Sequence, residues 1–346
     1  MSISEEQVRN ALRSVRYPGF SRDIISFGLL KDVQIDDGQI KVQLALATND
    51  PNVPATIKHD AENILRALEG VRSAKVLIDI HAPPGGAGAV VGAQRIPGVK
   101  HVIAIASGKG GVGKSTVAAN IAVALEQTKL RVGLCDCDIY GPSISLMFGT
   151  RERPTASEEN NIIPIEQYDL KLMSMGFLLD DTSPAILRGP MVTRYTQQFL
   201  RQVDWGELDF LVLDLPPGTG DIQLTIVQTV ALSGAVIVTT PQEVALIDAR
   251  KAATMFEKVN VPVLGIVENM AYFVSPTDGT KHEIFGVGGG EREAQRLRVP
   301  LLGQIPIDIA TREAGDRGRP IVAEDPKSPA AKEFTKVARQ IRETLS

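Results

Sequence analysis

The sequence predicts an α/β protein in which a doubly wound, mostly parallel sheet follows a small N-terminal α+β domain. Three observations predict this fold. Short apolar runs alternate with helical patterns beyond residue 100, a glycine-rich loop joins the first run to a helix, and a Gly/Pro-rich stretch precedes both. Such alternation indicates parallel strands, because right-handed crossovers lay a helix across each pair of strands. We expect domains at residues 1–81 and 100–346, joined by a flexible linker at 82–99.

The N-terminal domain is predicted from two helical patterns and three runs with the alternation of strands. The helices are expected at Glu5–Val15 and Ile57–Leu68, and the strands at Lys31–Ile35, Ile40–Ala47 and Lys75–Ile80. The aspartates and glycine at positions 36 to 38 are typical of a hairpin turn between the first two strands. A small sheet covered by two helices follows from these elements.

Seven apolar runs of the second domain are expected to form the strands of the parallel sheet. They are Val102–Ala106, Val132–Cys137, Leu170–Met175, Phe210–Leu215, Val236–Thr240, Val263–Glu268 and Leu301–Ile305. Ligands of such sheets bind beyond the carboxyl ends of the strands. The charged and glycine-rich motifs of this chain follow several of these runs, which places a candidate site at that edge.

Composition and charge indicate a globular protein without a leader or membrane segment. The chain has 346 residues, of which 43% are hydrophobic, and its formal net charge is −4. Its first residues lack the basic start and apolar run of a signal peptide, and no run approaches the roughly 18–20 apolar residues that span a bilayer. We expect a cytoplasmic protein that binds neither nucleic acid nor membrane, because an acidic chain has no overall attraction to polyanions.

The segment Ser107–Thr116 fits the phosphate-binding pattern G-x-x-x-x-G-K-[ST] directly after the first strand of the second domain. Its backbone N–H groups would surround phosphate oxygens at the start of a helix that opens at Lys114. Lys114 would bridge the β- and γ-phosphates, and the Ser115 hydroxyl would coordinate Mg²⁺. We therefore expect a P-loop NTPase fold that binds a nucleoside triphosphate. The binding residues are Gly108, Lys109, Gly110, Gly111, Val112, Gly113, Lys114, Ser115 and Thr116.

Three aspartates lie at the ends of predicted strands beside this loop. Asp136 and Asp138 share one face of the second strand, because side chains alternate along a strand. We expect Asp138 to orient the attacking water, and Asp136 to hold the outer shell of the metal or to support the loop. Asp214 ends an apolar strand and is expected to bind Mg²⁺ through water. Gly218 and Gly220 would let the following loop respond to the γ-phosphate.

Cys135 and Cys137 are the two cysteines of the chain. They alternate with the aspartates, so they are expected on the opposite face of the strand, toward the core. In that position they are small buried hydrophobes rather than metal ligands or nucleophiles.

Lys109, directly after the first glycine of the loop, resembles the signature lysine of the deviant Walker A ATPases. That group includes MinD, ParA, ArsA and the nitrogenase iron protein. The resemblance implies a homodimer in which two subunits face each other across two ATP molecules, with Lys109 reaching the partner's nucleotide. Two apposed tetra-anionic ligands repel each other, so a cation that crosses the interface has an electrostatic purpose.

Within that group the chain resembles the Mrp (ApbC) family of iron–sulfur cluster carrier ATPases, over essentially all of residues 100–346. The segments that carry the resemblance are Ser107–Thr116, Asp136–Ser143, Leu187–Met191, Asp214–Asp221, Thr240–Ala245, Glu268–Met270, Ile284–Gly290 and Gln304–Asp308. Residues 1–80 resemble the small iron–sulfur assembly domain that often precedes bacterial members. The resemblance implies iron–sulfur scaffolds or apoproteins as partners.

The same resemblance implies residues that bind the base. Asn269 would hydrogen-bond adenine, and the loop that contains Pro306 and Asp308 would close over it. The alternative for Asn269 and Asp308 is a polar group that stabilises a turn.

The chain departs from the family pattern at both of its expected thiol sites. Mrp-type carriers have a Cys-x-x-Cys, and the two pairs of a homodimer hold one [4Fe–4S] cluster, whereas Ser275 and Asp278 occupy those positions here. Oxygen ligands suit hard cations and these clusters are held chiefly by thiolates, so this is a poor cluster site. In the N-terminal domain the usual cysteine-bearing loop reads Thr48–Pro54, and the usual Asp-Pro-Glu is replaced at Tyr17–Gly19.

Three explanations of this departure stay open. The protein acts in cluster assembly as an ATP-driven partner while other proteins hold the metal, or it binds a cluster unconventionally through rearranged Cys135 and Cys137. In the third, the ATP-switched dimer serves a client outside iron–sulfur chemistry.

Two other classes of protein also fit part of the sequence. A MinD-type membrane ATPase would use one face of a terminal helix, formed by Phe334, Val337, Ile341 and Leu345, although such a face more often packs on its own domain. A ParA-type DNA-partitioning ATPase would need a basic stripe, which an acidic chain disfavours.

We therefore expect a slow homodimeric ATPase in iron–sulfur protein maturation, with ATP and Mg²⁺ as its ligands. Its catalytic residues are expected to be Lys109, Lys114 and Asp138. The exchange of both cysteines for Ser275 and Asp278 argues against a directly bound [4Fe–4S] cluster.

Overall fold

The computed structural model describes residues 3–15, 23–25, 29–36, 38–47, 52–68, 70–81, 93–157, 161–177 and 199–346. The chain divides into two units, Met1–Val90 and Val91–Ser346. Near the end of the expected linker, Gln94 exchanges backbone hydrogen bonds with Thr229 and Ala231, so these residues pack on the second unit. The domain boundaries themselves stay a prediction.

The first unit is a three-stranded sheet with two helices. Its elements are α1 (Glu5–Leu12), β1 (Leu30–Asp36), β2 (Gln39–Ala47), α2 (Asn52–Arg66) and β3 (Ser73–His81). The central strand β2 pairs antiparallel with β1 and parallel with β3. Alternate residues of β2 are buried together with the apolar faces of both helices, which forms a separate small core. The predicted α+β character is confirmed.

The start of α2 corrects one prediction in this unit. We expected a loop over Thr48–Pro54 and a helix from Ile57, but the helix begins at Asn52. Proline fits the first turn of a helix because the N–H that it lacks has no partner there. Residues 48–51 and the expected motif at Tyr17–Gly19 lie outside the described residues.

The second unit alternates strands and helices along its length. Its elements are β4 (Val99–Ala106), α3 (Lys114–Glu126), β5 (Val132–Asp136), α4 (Ile144–Met147), β6 (Thr155–Ala156), β7 (Ile162–Ile163), β8 (Ile165–Gln167), β9 (Leu170–Met173), β10 (Leu208–Asp214), α5 (Asp221–Thr229), β11 (Gly234–Thr239), α6 (Glu243–Lys258), β12 (Val263–Glu268), β13 (Phe273–Val274), β14 (Lys281–His282), α7 (Gly289–Leu297), β15 (Leu301–Gln304), α8 (Ile309–Asp316), α9 (Ile321–Glu324) and α10 (Pro329–Leu345).

These strands form a central sheet with the order β15-β12-β11-β4-β10-β5-β9-β8 over the described residues. All neighbours are parallel except β8, which runs antiparallel to β9 at the edge. Ile103 and Ile105 of β4 lie in one core with α3, whereas Val102 and Ala104 lie in a second core with α5 and α6. Helices therefore cover both faces, and the predicted doubly wound fold is confirmed.

The seven predicted strands correspond to β4, β5, β9, β10, β11, β12 and β15. The antiparallel edge strand β8 was not predicted. In register, Asp214 at the end of β10 lies opposite Asp136 at the end of β5. The sheet thus gathers the acidic residues of two neighbouring strands at its carboxyl edge, next to the loop after β4.

The terminal helix α10 packs on the P-loop helix α3. Phe334, Val337 and Ile341 are fully buried in the core of the second unit, and Leu345 packs at its margin. The apolar face that a MinD-type membrane anchor would use is therefore occupied by the chain's own core. No helix among the described residues has the length and apolar character that crossing a bilayer requires.

Candidate nucleotide-binding site

The loop Ser107–Thr116 lies between β4 and α3 and surrounds a cavity of about 250 Å³, which we call the phosphate cavity. Gly111 and Gly113 adopt left-handed backbone conformations with φ of 81° and 79°. The Ser107 hydroxyl donates to the carbonyl oxygen of Lys109 at 2.9 Å, which ties the start of the loop to its turn. Asp138, Ser143 and Pro217 complete the wall of the cavity. Helix α3 begins at Lys114 as predicted.

Gly113 is required at its position by two independent constraints. Its φ is left-handed, and a Cβ added there would overlap the side-chain amide of Asn269. Gly111 has nearly the same φ, but a Cβ added there would meet nothing within 4 Å. Substitutions at these two glycines therefore distinguish the effect of backbone strain, present at both, from the effect of steric overlap, present only at Gly113.

A Gly113→Ala variant should lose about tenfold to a hundredfold in ATP affinity, because left-handed strain and the overlap with Asn269 both deform the loop. Gly111→Ala is the matched control, since it shares the strain without the overlap. Isothermal titration of both variants measures the difference. Equal losses in the two variants would show that Asn269 does not constrain the loop.

Lys114 and Asp214 form a buried ion pair at the base of the phosphate cavity. The Lys114 ammonium lies 2.5 Å from Asp214 Oδ1, and the two side chains are 6% and 0% exposed. Lys114 also donates to the Ser115 hydroxyl at 3.3 Å. Burial raises the pKa of Asp214, and the charge of Lys114 opposes that shift. The lysine is thus held beside the position that phosphate oxygens would take.

The second oxygen of Asp214 fits a bound magnesium ion. Asp214 Oδ2 is buried and has no hydrogen-bond partner. A buried carboxylate oxygen without a partner is costly, so such an atom indicates a ligand that supplies one. The Ser115 hydroxyl accepts from the same Lys114 ammonium that pairs with Asp214, and carboxylate, hydroxyl and water oxygens are the ligands that Mg²⁺ prefers. The donor set of Ser115 and Asp214 therefore suits Mg²⁺.

Asp136 supports the surrounding loops. Its Oδ1 accepts from the Asp138 N–H at 3.0 Å, and its Oδ2 accepts from the Ser143 N–H and the Ser174 hydroxyl, each at 3.0 Å. Burial and the charge of Asp214 raise the pKa of Asp136 to about 7. Both oxygens are engaged with the protein, which favours loop support among the two roles that the sequence left open.

Asp138 is the half-buried aspartate of the phosphate cavity. Its Oδ1 accepts from the Gly141 N–H at 3.3 Å, which holds the carboxylate at the cavity wall. Lys109 lines the same cavity, half-buried, and takes part in none of the ion pairs found among the described residues. A carboxylate and an uncommitted cation thus face the space where phosphates would lie.

An apolar cavity of about 440 Å³, which we call the base cavity, adjoins the phosphate cavity. The two share Gly113, Thr116 and Met147 in their walls. Further wall residues of the base cavity are Asn120, Leu146, Asn269, Met270, Phe285, Ile305, Pro306, Ile307 and Asp308. Joined apolar and polar cavities of this kind suit a nucleotide, with its base in one and its phosphates in the other.

Asn269 and Asp308 both reach the base cavity, and both also hold the protein. The Asn269 amide nitrogen donates to the Val112 carbonyl oxygen at 2.8 Å, which links the end of β12 to the P-loop. Asp308 is the N-cap of α8 and accepts from the N–H groups of Ala310 and Thr311. The turn-stabilising role that stood as the alternative for these two residues is therefore observed, and their predicted contacts with adenine stay a prediction.

Ser275 and Asp278 lie at the tip of the hairpin formed by β13 and β14. The Ser275 and Thr280 side chains donate to Asp278 and lower its pKa to about 2. The Ser275 N–H donates to the Thr280 carbonyl oxygen at 2.9 Å, which closes the turn. Among the described residues no group of three or more His, Cys, Asp or Glu side chains could hold a metal ion.

The hairpin is joined to the base cavity by backbone hydrogen bonds. The Ala271 N–H donates to the Ile305 carbonyl oxygen at 2.9 Å, and the Ile307 N–H donates to the Tyr272 carbonyl oxygen at 2.6 Å. Met270 before the hairpin and Phe285 after it both line the base cavity. A change in that cavity would therefore reach the segment that carries Ser275 and Asp278.

Cys135 and Cys137 lie buried in the core beneath the sheet, with their sulfur atoms 3.8 Å apart. The neighbouring Cys135 and burial together raise the pKa of the Cys137 thiol well above its usual range. Neither cysteine lines the phosphate or the base cavity. The prediction that they are buried hydrophobes is confirmed.

Sequence reasoning missed several residues that build the site. Ser174 supports Asp136 from 38 positions away, and no local pattern indicates that contact. Glu268 is buried and accepts from the Gly290 N–H and the Gln304 amide, both at 2.6 Å. Glu268 and Gln304 both lie in segments that carry the family resemblance, and each is a polar residue at the end of an apolar strand. That polar residue was the feature of the sequence that could have indicated a buried hydrogen bond. The segment Leu187–Met191 lies outside the described residues.

Comparison with known proteins identifies families for both parts of the chain. Residues 98–342 match the family described as NUBPL iron-transfer P-loop NTPase, and residues 5–78 match the family described as iron-sulfur cluster assembly protein. An iron-sulfur cluster carrier protein of Synechocystis sp. is 44% identical over 349 residues, which cover 99% of this chain and 98% of the relative. The iron-sulfur cluster transfer protein NUBPL of Mus musculus is 50% identical over 248 residues, which cover 71% and 78%.

Solved structures agree with the fold of the second unit. A nucleotide-binding protein of Archaeoglobus fulgidus in complex with ADP is 40% identical with a TM-score of 0.61, over 70% of this chain and 94% of that chain. The cell division ATPase MinD of Pyrococcus furiosus is 26% identical with a TM-score of 0.54, over 70% and 99%. The chain therefore belongs to the NUBPL-type iron-transfer family of P-loop NTPases.

Proposed function

We propose that this chain is an ATPase that binds ATP with Mg²⁺, hydrolyses it slowly as a homodimer and acts in the maturation of iron–sulfur proteins. The observation that carries the proposal is the apolar base cavity that opens into the phosphate cavity around Lys114. Relatives named iron-sulfur cluster carrier or transfer proteins support the biological role. Turnover of ATP by the purified chain, measured as phosphate release, is the direct test.

Lys114 is proposed to leave Asp214 and contact the β- and γ-phosphates when nucleotide enters. The ion pair of Lys114 and Asp214 holds the lysine in place until then. Ser115 and Asp214 would hold Mg²⁺, Asp214 through water, and the ion would offset negative charge on the phosphates. The backbone N–H groups of Gly110 to Thr116 would contact the phosphate oxygens at the start of α3.

Asp138 is proposed to orient the water that attacks the γ-phosphate. It is the half-buried aspartate of the phosphate cavity, its Oδ1 accepts from the Gly141 N–H, and a carboxylate has further acceptor positions for water. Asp136 would act indirectly, because its carboxylate holds the backbone N–H groups of Asp138 and Ser143 in place.

The loop Asp214–Asp221 follows β10 at the same edge and would move after hydrolysis. Its helix α5 is capped by Gly220 and begins at Asp221.

The base is proposed to be adenine because of the orientation of Asn269. Its amide nitrogen is committed to the Val112 carbonyl oxygen, so the oxygen is the end of the amide that remains for a ligand. An acceptor at that position pairs with the exocyclic amino group of adenine and repels the carbonyl oxygen of guanine. Pro306 and Asp308 would lie along the base from the neighbouring loop.

The homodimer is proposed to form over the carboxyl edge of the sheet. Large apolar side chains are exposed in the loops and helix starts that follow β5, β11 and β12, namely Tyr140, Val244, Ile247, Val274, Ile284 and Val287. Apolar surface concentrated at one edge indicates an interaction site. Lys109 lies at the same edge, where it could reach a nucleotide held by the partner.

A Lys109→Ala variant should bind ATP as a monomer but lose ATP-dependent dimerisation, and its turnover should fall about a hundredfold or more. The reason is that the repulsion between two apposed nucleotides would lack its crossing cation. Lys251→Ala, an exposed lysine paired with Asp248 on α6, is the matched control. Analytical ultracentrifugation with a non-hydrolysable ATP analogue measures the dimer, and a Lys109→Ala dimer as tight as the unaltered one would refute this role.

The role in iron–sulfur maturation is proposed to be that of an ATP-driven partner of scaffolds or apoproteins that themselves hold the cluster. Ser275 and Asp278 lie at the hairpin tip, where Asp278 accepts from the Thr280 N–H at 3.1 Å, and neither residue offers a thiolate. Through the hydrogen bonds between the start of the hairpin and the Ile305–Ile307 segment, a structural change caused by nucleotide binding would be transmitted to this tip. The hairpin would thus present a nucleotide-dependent surface to the client.

A further inference from the structure

The walls of the base cavity contain two thioether sulfurs. Met147 ends α4 and lines both cavities, and Met270 follows Asn269 with a left-handed φ of 55°. The terminal methyl group of Met270 would lie 3.6 Å from a Cβ added at Gly113, so this side chain extends along the P-loop. Both methionines are half-buried and line the base cavity.

The other described sulfur atoms differ from these two in access or in position. Met173 is fully buried in β9, and Met255 is half-buried on α6 against the opposite core, away from both cavities. Cys135 and Cys137 are both buried, and the raised pKa of the Cys137 thiol disfavours the thiolate through which thiols react with oxidants. The sulfur that a small oxidant meets in the nucleotide site is therefore thioether rather than thiol.

We propose that Met147 and Met270 are sites of reversible oxidation by peroxides, and that their oxidation lowers the affinity of the base cavity for adenine nucleotides. The inference rests on the proposed binding of ATP at this site. In the reaction a sulfur lone pair attacks one peroxide oxygen, the O–O bond breaks and that oxygen forms the sulfoxide. The sulfur is oxidised by two electrons, and hydrogen peroxide is reduced to water, which retains both protons.

The expected loss of affinity follows from the chemistry of the cavity wall. A thioether is apolar and polarizable and packs well against an aromatic base, whereas a sulfoxide carries a strong dipole that needs hydrogen bonds. The neighbouring wall is largely apolar, with Leu146, Phe285 and Ile305 beside the two methionines. We expect ATP affinity to fall about tenfold on oxidation. A bound base would in turn exclude peroxide from both sulfurs.

The test treats the full-length chain with hydrogen peroxide, with and without ATP and Mg²⁺, and measures sulfoxide at each methionine by peptide mass spectrometry. Met147 and Met270 should oxidise several-fold faster than Met173, and ATP should protect them. Met255 is the internal control, because it is half-buried outside the site and ATP should leave its oxidation unchanged. ATP affinity is measured before and after treatment, and again after methionine sulfoxide reductases, which should restore it.

For a Met147→Leu/Met270→Leu variant, a volume-conserving change, the ATP affinity after the same peroxide treatment should equal the affinity that this variant has before treatment. Unprotected oxidation of Met147 and Met270 in the presence of bound ATP would overturn the proposal. An equal loss of affinity in the Leu variant would overturn it as well. If the untreated chain fails to bind ATP, the proposed function fails instead, which keeps the two failures distinct.

Discussion

A Lys114→Ala variant is expected to lose measurable ATP binding and hydrolysis and to unfold more easily than the unaltered chain. The loss of binding follows because the ammonium that would contact the β- and γ-phosphates is removed. The loss of stability follows because the buried carboxyl group of Asp214 would lose its ion-pair partner. Removing one partner of a buried ion pair lowers the free energy of unfolding by about 3–5 kcal/mol.

A second variant separates these two effects. Lys114→Ala/Asp214→Asn removes both charges, so it should recover much of the stability while ATP binding stays absent. Lys100→Ala is the matched control, because Lys100 is also paired with an aspartate, at 2.6 Å, but is 62% exposed. An exposed pair contributes about 0–1 kcal/mol, so this control should keep both stability and ATP affinity. Calorimetric unfolding and isothermal titration measure the two properties, and ATP binding by Lys114→Ala would refute the assignment.

An Asp138→Ala variant is expected to bind ATP with nearly unchanged affinity and to hydrolyse it about a hundredfold to ten-thousandfold more slowly. Its carboxylate is proposed to contact the attacking water rather than the nucleotide, so the transition state loses more than the bound state. Asp138→Asn should be almost as slow, since an amide oxygen of similar shape cannot take up a proton. Single-turnover kinetics with saturating ATP measure the step directly.

The matched control for this variant is Asp204→Asn. Asp204 is an exposed aspartate that also accepts from a turn amide, the Gly206 N–H at 3.1 Å, but it lies outside both cavities. Its substitution should leave turnover unchanged. Turnover by Asp138→Ala at the rate of this control would move the role of water alignment to another residue.

Local patterns in the sequence predicted the strands and the P-loop well, because each is encoded within a few consecutive residues. The apolar run before Ser107 and the glycines after it are sufficient to predict a strand, a tight loop and a helix start. The antiparallel edge β8 was missed because Ile165–Gln167 is too short to show an alternating pattern. The early start of α2 was not predicted because a proline such as Pro54 is common in loops, although proline also suits a first helical turn.

The sequence predicted most of the residues that form the site, but few of the hydrogen bonds that join them. The sequence placed Asp136 near the metal or the loop, but only the fold brings Ser174 to its carboxylate and so favours loop support. The capping role of Asp308 was open to prediction, since an aspartate directly before a helix is a common N-cap. The link between Asn269 and Val112 joins residues 157 positions apart, which no single-sequence pattern indicates.

We propose that this chain is a nucleotide switch for iron–sulfur maturation that does not itself hold a cluster. The most direct test measures iron and acid-labile sulfide per dimer after anaerobic reconstitution, for the unaltered chain and for a Ser275→Cys/Asp278→Cys variant. We expect no retained iron in the unaltered chain and about four iron and four sulfide ions per dimer in the variant, whose two Cys pairs would supply four thiolates. Retention of about four iron and four sulfide ions by the unaltered chain would contradict the claim.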